Sequence, residues 1–282
     1  VTITPFTADG RKVEESVLRD FVDWQIEQGA HGLIPVASTG EFLSLSDDER
    51  RKVASTVIEQ TNKRVPVLVG AGAENTWDVV RYSREAEDLG ADGVLIIPPF
   101  YSTPTDDELY QHYKMIGESI SIPVMLYNNP ATSNVDMLPS LVARLSELDN
   151  ISYIKESTMD VTRVRDIIRL SDKRMVVFGG VMGYESFLNG AGGWTAVGCN
   201  LMPKEFSKMY RHCVEKADLD MIKFVLVQDE QSVECIKSDP SEEYLESFLE
   251  WLPQGAKSVG NKSAMYQCFL IFAFCERIFI TD

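Results

Sequence analysis

Short apolar runs recur along the chain and are separated by stretches with helical periodicity. The runs lie at residues 1–4, 32–36, 65–69, 93–97, 123–127, 151–155, 175–178 and 193–197. They are continuous rather than alternating, as expected for strands buried on both faces of a parallel sheet. Between them, amphipathic segments predict helices over 13–28, from 46, over 76–89, from 106, after 139, from 160, over 184–189 and over 203–217. Ser46 followed three residues later by Glu49 has the form of a capping box. Eight strand–helix units are the number that closes a (β/α)8 barrel, so the predicted fold class is an α/β TIM barrel. An open doubly wound sheet would carry a Gly-rich turn after its first strand, and the sequence there is Pro5-Phe6-Thr7. The expected division is a barrel over residues 1–218 and a C-terminal helical extension over 219–282. Asp239-Pro240 and Leu252-Pro253 are break points in the extension.

Composition narrows the partners. The 282 residues carry 27 Lys and Arg against 43 Asp and Glu, a formal net charge of −16. Such a surface repels nucleic acid and anionic membranes, and neither is an expected partner. The apolar run from Cys268 to Cys275 is too short to span a bilayer. Five cysteines stand without a C-x-x-C pair, which fits a reducing cytoplasm. The three histidines, His31, His112 and His212, have no zinc-type spacing, so no metal is expected. No leader-like segment opens the chain at Val1, and a few residues are expected to precede it.

Candidate chemistry gathers at the C-terminal ends of the predicted strands, where barrel active sites form. Lys155 closes the sixth strand. On its own that position equally suits a solvated strand end, but an amine taken out of water is disfavoured as the cation and attacks carbonyls when neutral. Tyr127 closes the strand before it and is followed by Asn128-Asn129-Pro130. Ser38, Thr39 and Gly40 follow the second strand and offer hydroxyl and amide donors to a carboxylate, or form an ordinary turn. Pro99-Phe100-Tyr101 follows the fourth, and Tyr101 points inward or across a subunit boundary. Gly70-Ala71-Gly72 lacks the third glycine of a dinucleotide site, since Asn75 stands there. Gly179-Gly180 follows the seventh strand and Gly198-Cys199-Asn200 the eighth, and loops at these places in barrels often hold phosphate.

Taken together and in this order, Thr4-Pro5-Phe6, Ser38-Thr39-Gly40-Glu41, Pro99-Phe100-Tyr101, Tyr127-Asn128-Asn129-Pro130 and Ile154-Lys155-Glu156-Ser157 resemble the dihydrodipicolinate synthase / N-acetylneuraminate lyase family of class I aldolases. The resemblance covers about residues 1 to 217. It implies that Lys155 forms an imine with pyruvate or a related 2-oxo acid, and that Tyr127 moves protons with Ser38 and Tyr101 as hydroxyl partners. It implies further that Thr39 and Gly40 grip the substrate carboxylate, and that Thr132, Gly180 and Val197 complete the substrate-binding set. No cofactor and no metal is implied, and the usual assembly is a homo-oligomer, a dimer or tetramer. The synthases usually carry an arginine where this chain has Thr132, and Asn134 replaces the usual glycine. The expected function is therefore a lyase of pyruvate or a related 2-oxo acid, working by aldol cleavage, condensation or dehydration rather than true dihydrodipicolinate synthesis. Two alternatives stay open: a sugar-phosphate aldolase or isomerase, and a non-catalytic 2-oxo-acid-binding member. Inorganic phosphate as a competitor discriminates the first; ligand-induced stabilisation without turnover discriminates the second.

Overall fold

The computed structural model describes residues 1–215, and the expected C-terminal extension lies outside them. Six regular strands form one parallel sheet in sequence order: β1 (Leu68–Gly70), β2 (Gly93–Ile96), β3 (Val124–Asn128), β4 (Ile151–Glu156), β5 (Val176–Gly179) and β6 (Gly193–Trp194). Every neighbouring pair is parallel, as strands joined through crossover helices must be. The helices are α1 (Glu15–Glu27), α2 (Asp47–Thr61), α3 (Thr76–Asp88), α4 (Asp106–Gly117), α5 (Pro130–Ser133), α6 (Pro139–Leu145), α7 (Thr162–Leu170), α8 (Gly183–Leu188) and α9 (Pro203–Tyr210).

The two segments expected as the first strands complete a (β/α)8 barrel without being regular. Thr2 N–H donates to the Ile34 carbonyl at 2.9 Å, and Leu33 forms an isolated parallel bridge with Val67. Gly70 N–H reaches the Pro35 carbonyl at 3.0 Å. Pro5, Pro35 and Pro66 have no N–H to give to a ladder. Val36 adopts φ 59°, a left-handed conformation that a β-branched residue seldom takes and that ends extended structure. Its carbonyl comes so close to β1 that a Cβ on Gly70 would lie 2.0 Å away, which is why that position is glycine. The eighth segment is also shorter than expected: after Trp194, only Thr195 N–H to the Gly179 carbonyl, at 2.9 Å, continues the pairing.

The circle is closed by side chains. Asn200 Oδ1 accepts from Ile3 N–H at 3.3 Å, while its Nδ2 donates to the Val197 carbonyl at 2.8 Å. Gln25, on α1, reaches the same Asn200 oxygen at 3.4 Å.

Helix starts follow their local chemistry. Ser46 and Glu49 form the expected capping box on α2, and Thr105 and Glu108 form a second on α4. Pro139 and Pro203 occupy the first turns of α6 and α9, where a missing N–H costs nothing. Asn134 takes φ 55° at the end of α5; asparagine, like glycine, tolerates that conformation. The core runs between sheet and helices. Ile96, Leu126 and Ile154 are fully enclosed, and each such side chain contributes roughly 1.5–3 kcal/mol.

Candidate active site

Strands β3 and β4 set the centre of the site. Their register pairs Tyr127 with Lys155 and, one step on, Asn128 with Glu156. Lys155 is only 3% exposed and Tyr127 only 6%. Lys155 Nζ lies 4.0 Å from the centroid of the Tyr127 ring. The buried phenol is tied down on several sides. Asn129 Nδ2 donates to it at 3.0 Å, and the polar groups of Lys155 and Ser38 stand near enough to act on its proton. Burial pushes its pKa up, but the nearby Lys155 charge and the polar groups of Asn129, Lys155 and Ser38 outweigh that. The net value falls below the usual 10. Such a phenol gives up and regains a proton more easily than an ordinary tyrosine.

Ser38 reaches this group because the strained Val36 turns the chain into a short 3-10 turn, Ser38–Gly40. Gly40 is buried, with its carbonyl accepting from Thr4 Oγ1 at 2.8 Å, and Thr39 is half-buried beside it. Gly180 is buried at the end of β5, its N–H donating to the Glu156 carbonyl at 2.7 Å. Val197 is half-buried at the foot of the Gly198–Asn200 turn. Thr132 lies exposed on α5, five residues beyond Tyr127. Tyr101 is not brought to Lys155 within the chain: it is 90% exposed. Its loop is nonetheless fixed, because the Glu74 carboxylate accepts from the N–H groups of Phe100, Tyr101 and Ser102 at 2.9–3.0 Å.

Four further residues belong to this region; they lie within the quoted motifs, but the sequence assigned them no role. Asn129 holds the phenol. Glu156 and Asn128 are buried directly behind the Lys155–Tyr127 pair, and burial raises the Glu156 carboxyl's pKa. Ser157 is buried with a hydroxyl that has no hydrogen-bond partner, and it stands against Gly180. Strand alternation from Lys155 would have flagged Glu156 as facing the helix layer and Ser157 as returning to the Lys155 side. Among the described residues, no group of three or more His, Cys, Asp or Glu side chains could hold a metal ion. No described helix is long and apolar enough to cross a membrane.

Fold and site together define a (β/α)8-barrel protein with a buried lysine packed against a buried phenol, and a serine hydroxyl near that phenol, at the mouth of the barrel. The model of the dihydrodipicolinate synthetase family matches residues 1–227. A 4-hydroxy-tetrahydrodipicolinate synthase from Pelobacter propionicus is 40% identical over 209 residues, covering 73% of this chain and 71% of its own. A protein of the same name from Psychrobacter sp. is 40% identical over 225 residues, covering 79% and 74%. Among solved structures, the chloride-inhibited dihydrodipicolinate synthase from Acinetobacter baumannii, complexed with pyruvate, superposes with a TM-score of 0.81. It is 31% identical and covers 92% of this chain and 97% of its own. The chain belongs to the dihydrodipicolinate synthetase family.

Proposed function

We propose that the protein is a class I lyase that binds pyruvate or a related 2-oxo acid as an imine on Lys155. The observation that carries this is the contact of the buried Lys155 amine with the ring of the buried Tyr127, whose phenol is held by Asn129. The neutral amine attacks the keto carbon, the phenol passes protons to and from the departing oxygen, and water leaves. The resulting iminium draws electrons from the adjacent carbon, so a C–H or C–C bond there breaks as an enamine forms; in a dehydration the enamine then expels a hydroxyl from the next carbon, which leaves as water with a proton. Thr39 and the backbone N–H groups beside Gly40 hold the substrate carboxylate and orient this step. Gly180 and Val197 line the far side of the pocket. Tyr101 joins the relay across a subunit boundary in a homo-oligomer, a dimer or tetramer, in the cytoplasm.

The second substrate carries hydroxyl groups in place of a second carboxylate. Two features support this. Thr132 stands where the family's synthases carry an arginine, and the unpartnered Ser157 hydroxyl suits a polyhydroxylated tail. A rival reading is 4-hydroxy-tetrahydrodipicolinate synthesis itself, favoured by the names of the relatives at 40% identity. Borohydride reduction in the presence of pyruvate is expected to leave a covalent adduct that Lys155→Ala abolishes; an adduct surviving that change defeats the lysine assignment. Product masses from a panel of 2-keto-3-deoxy sugar acids, and from pyruvate with aspartate semialdehyde, separate the two substrate readings.

A further inference from the structure

A closed polar cluster lies behind the Lys155–Tyr127 pair. Side chains alternate along a strand, so Asn128 and Glu156, each one residue beyond the pair, face the opposite side of β3 and β4. Asn128 is 0% exposed and Glu156 is 6% exposed. The Asn128 amide is fully used. Its Nδ2 donates to Glu156 Oε2 at 3.0 Å, Asp136 Oδ1 at 3.3 Å and the Met137 carbonyl at 3.4 Å. Its Oδ1 accepts from Met137 N–H at 3.0 Å. The other Glu156 oxygen accepts from Thr158 N–H at 2.8 Å. Asp136 is held in turn by Arg163 through two bonds at 2.5 and 2.8 Å.

A buried carboxylic group is costly to keep unless its partners compensate, and an apolar side chain would fill the space with less penalty. The backbone ladder here needs help. The β3–β4 register shifts between Val124 and Met125, so main-chain pairing near the start of β3 is irregular. The Glu156–Asn128 bond spans the same two strands at their other end, one step past Tyr127 and Lys155. Asn128 also anchors Met137, and so fixes the turn that carries Asn129 onto the Tyr127 phenol.

We propose that Glu156, acting through Asn128, is a positioning residue that sets the Tyr127 phenol against the Lys155 amine. This rests on Lys155 being the imine-forming residue. Glu156→Gln keeps the size but leaves one acceptor where two donors, Asn128 Nδ2 and Thr158 N–H, need two. At saturating pyruvate and well below the melting temperature, the rate of borohydride-trappable adduct formation should fall on the order of 100-fold, as small misplacements of reacting groups do. Pyruvate affinity should change little. That split between a slowed rate and an unchanged affinity marks a positioning role, because a purely structural lesion would weaken both. Glu156→Asp, which withdraws the carboxylate by one methylene, serves in the same way if the glutamine variant does not fold. A folded Glu156→Gln protein that traps pyruvate at the wild-type rate overturns the proposal alone. A wild-type protein that traps none defeats the lysine assignment and the proposal with it.

Discussion

Gly180→Ala is the sharpest test of how tightly the barrel mouth is built. A Cβ at Gly180 would lie 1.7 Å from Ser157 Oγ, 2.8 Å from Ser157 Cβ and 2.9 Å from the Glu156 carbonyl oxygen. The hydroxyl can rotate away, but Ser157 Cβ and the Glu156 carbonyl belong to the end of β4 and cannot move without carrying Lys155 with them. Forcing an extra methyl into such a site costs typically 1–3 kcal/mol, and about 2 kcal/mol suits contacts of this closeness. For a chain of this size each kcal/mol lowers the melting temperature by roughly 2–4 °C, so a fall of about 4–8 °C is expected. Differential scanning calorimetry reads this directly. Adding Ser157→Gly removes two of the three clashes and should restore about half of the loss or more, giving a clear coupling between positions 157 and 180. An unchanged melting temperature in Gly180→Ala, or no recovery in the double variant, would refute the packing described for this mouth.

Two more outcomes follow from the site and the core. Tyr127→Phe should slow pyruvate adduct formation by roughly 100- to 10,000-fold, the usual worth of a positioned proton donor, while pyruvate still binds; single-turnover trapping measures it, and a rate near wild type would remove the phenol from the mechanism. His112 is 6% exposed, hydrogen-bonds Thr76 Oγ1 at 2.9 Å, and has its pKa lowered by burial from 6.5 to about 4. As pH falls, the unfolded chain takes up this proton first, so stability is lost between about pH 6.5 and pH 4, by ~3 kcal/mol at ~1.4 kcal/mol per pH unit. Denaturant titrations across that range should give a flatter stability curve for His112→Gln, and superimposable curves would count against the assignment.

Much of the barrel was legible because buried parallel strands demand unbroken apolar runs, and those runs set the positions of β1 to β6 within a few residues. The two earliest segments were legible as chain that lies in the barrel but not as irregular strands. Their prolines and the left-handed Val36 act through hydrogen bonding and backbone conformation, which apolar patterning does not record. Lys155 and Tyr127 stood out because they end such runs, and Ser38 because two hydroxyls and a glycine end another. Glu156 and Asn128 did not, since a polar residue after an apolar run has the pattern of a strand's wet end; only the folded chain shows both enclosed and bonded to each other. Tyr101 is the opposite case: its motif marks it for chemistry, yet a single chain leaves its ring in solvent.

The closure of the barrel carries a mechanical consequence. Where the first segment meets the last, Asn200 and Gln25 side chains bridge what a backbone ladder spans from β1 to β6. Side-chain bonds break one at a time, whereas ladder bonds cooperate. Under thermal or mechanical load this circle is therefore expected to open first around residues 1–4, which a single backbone bond to Ile34 holds on the other side, with the Lys155–Tyr127 side of the wall among the last stretches to come apart.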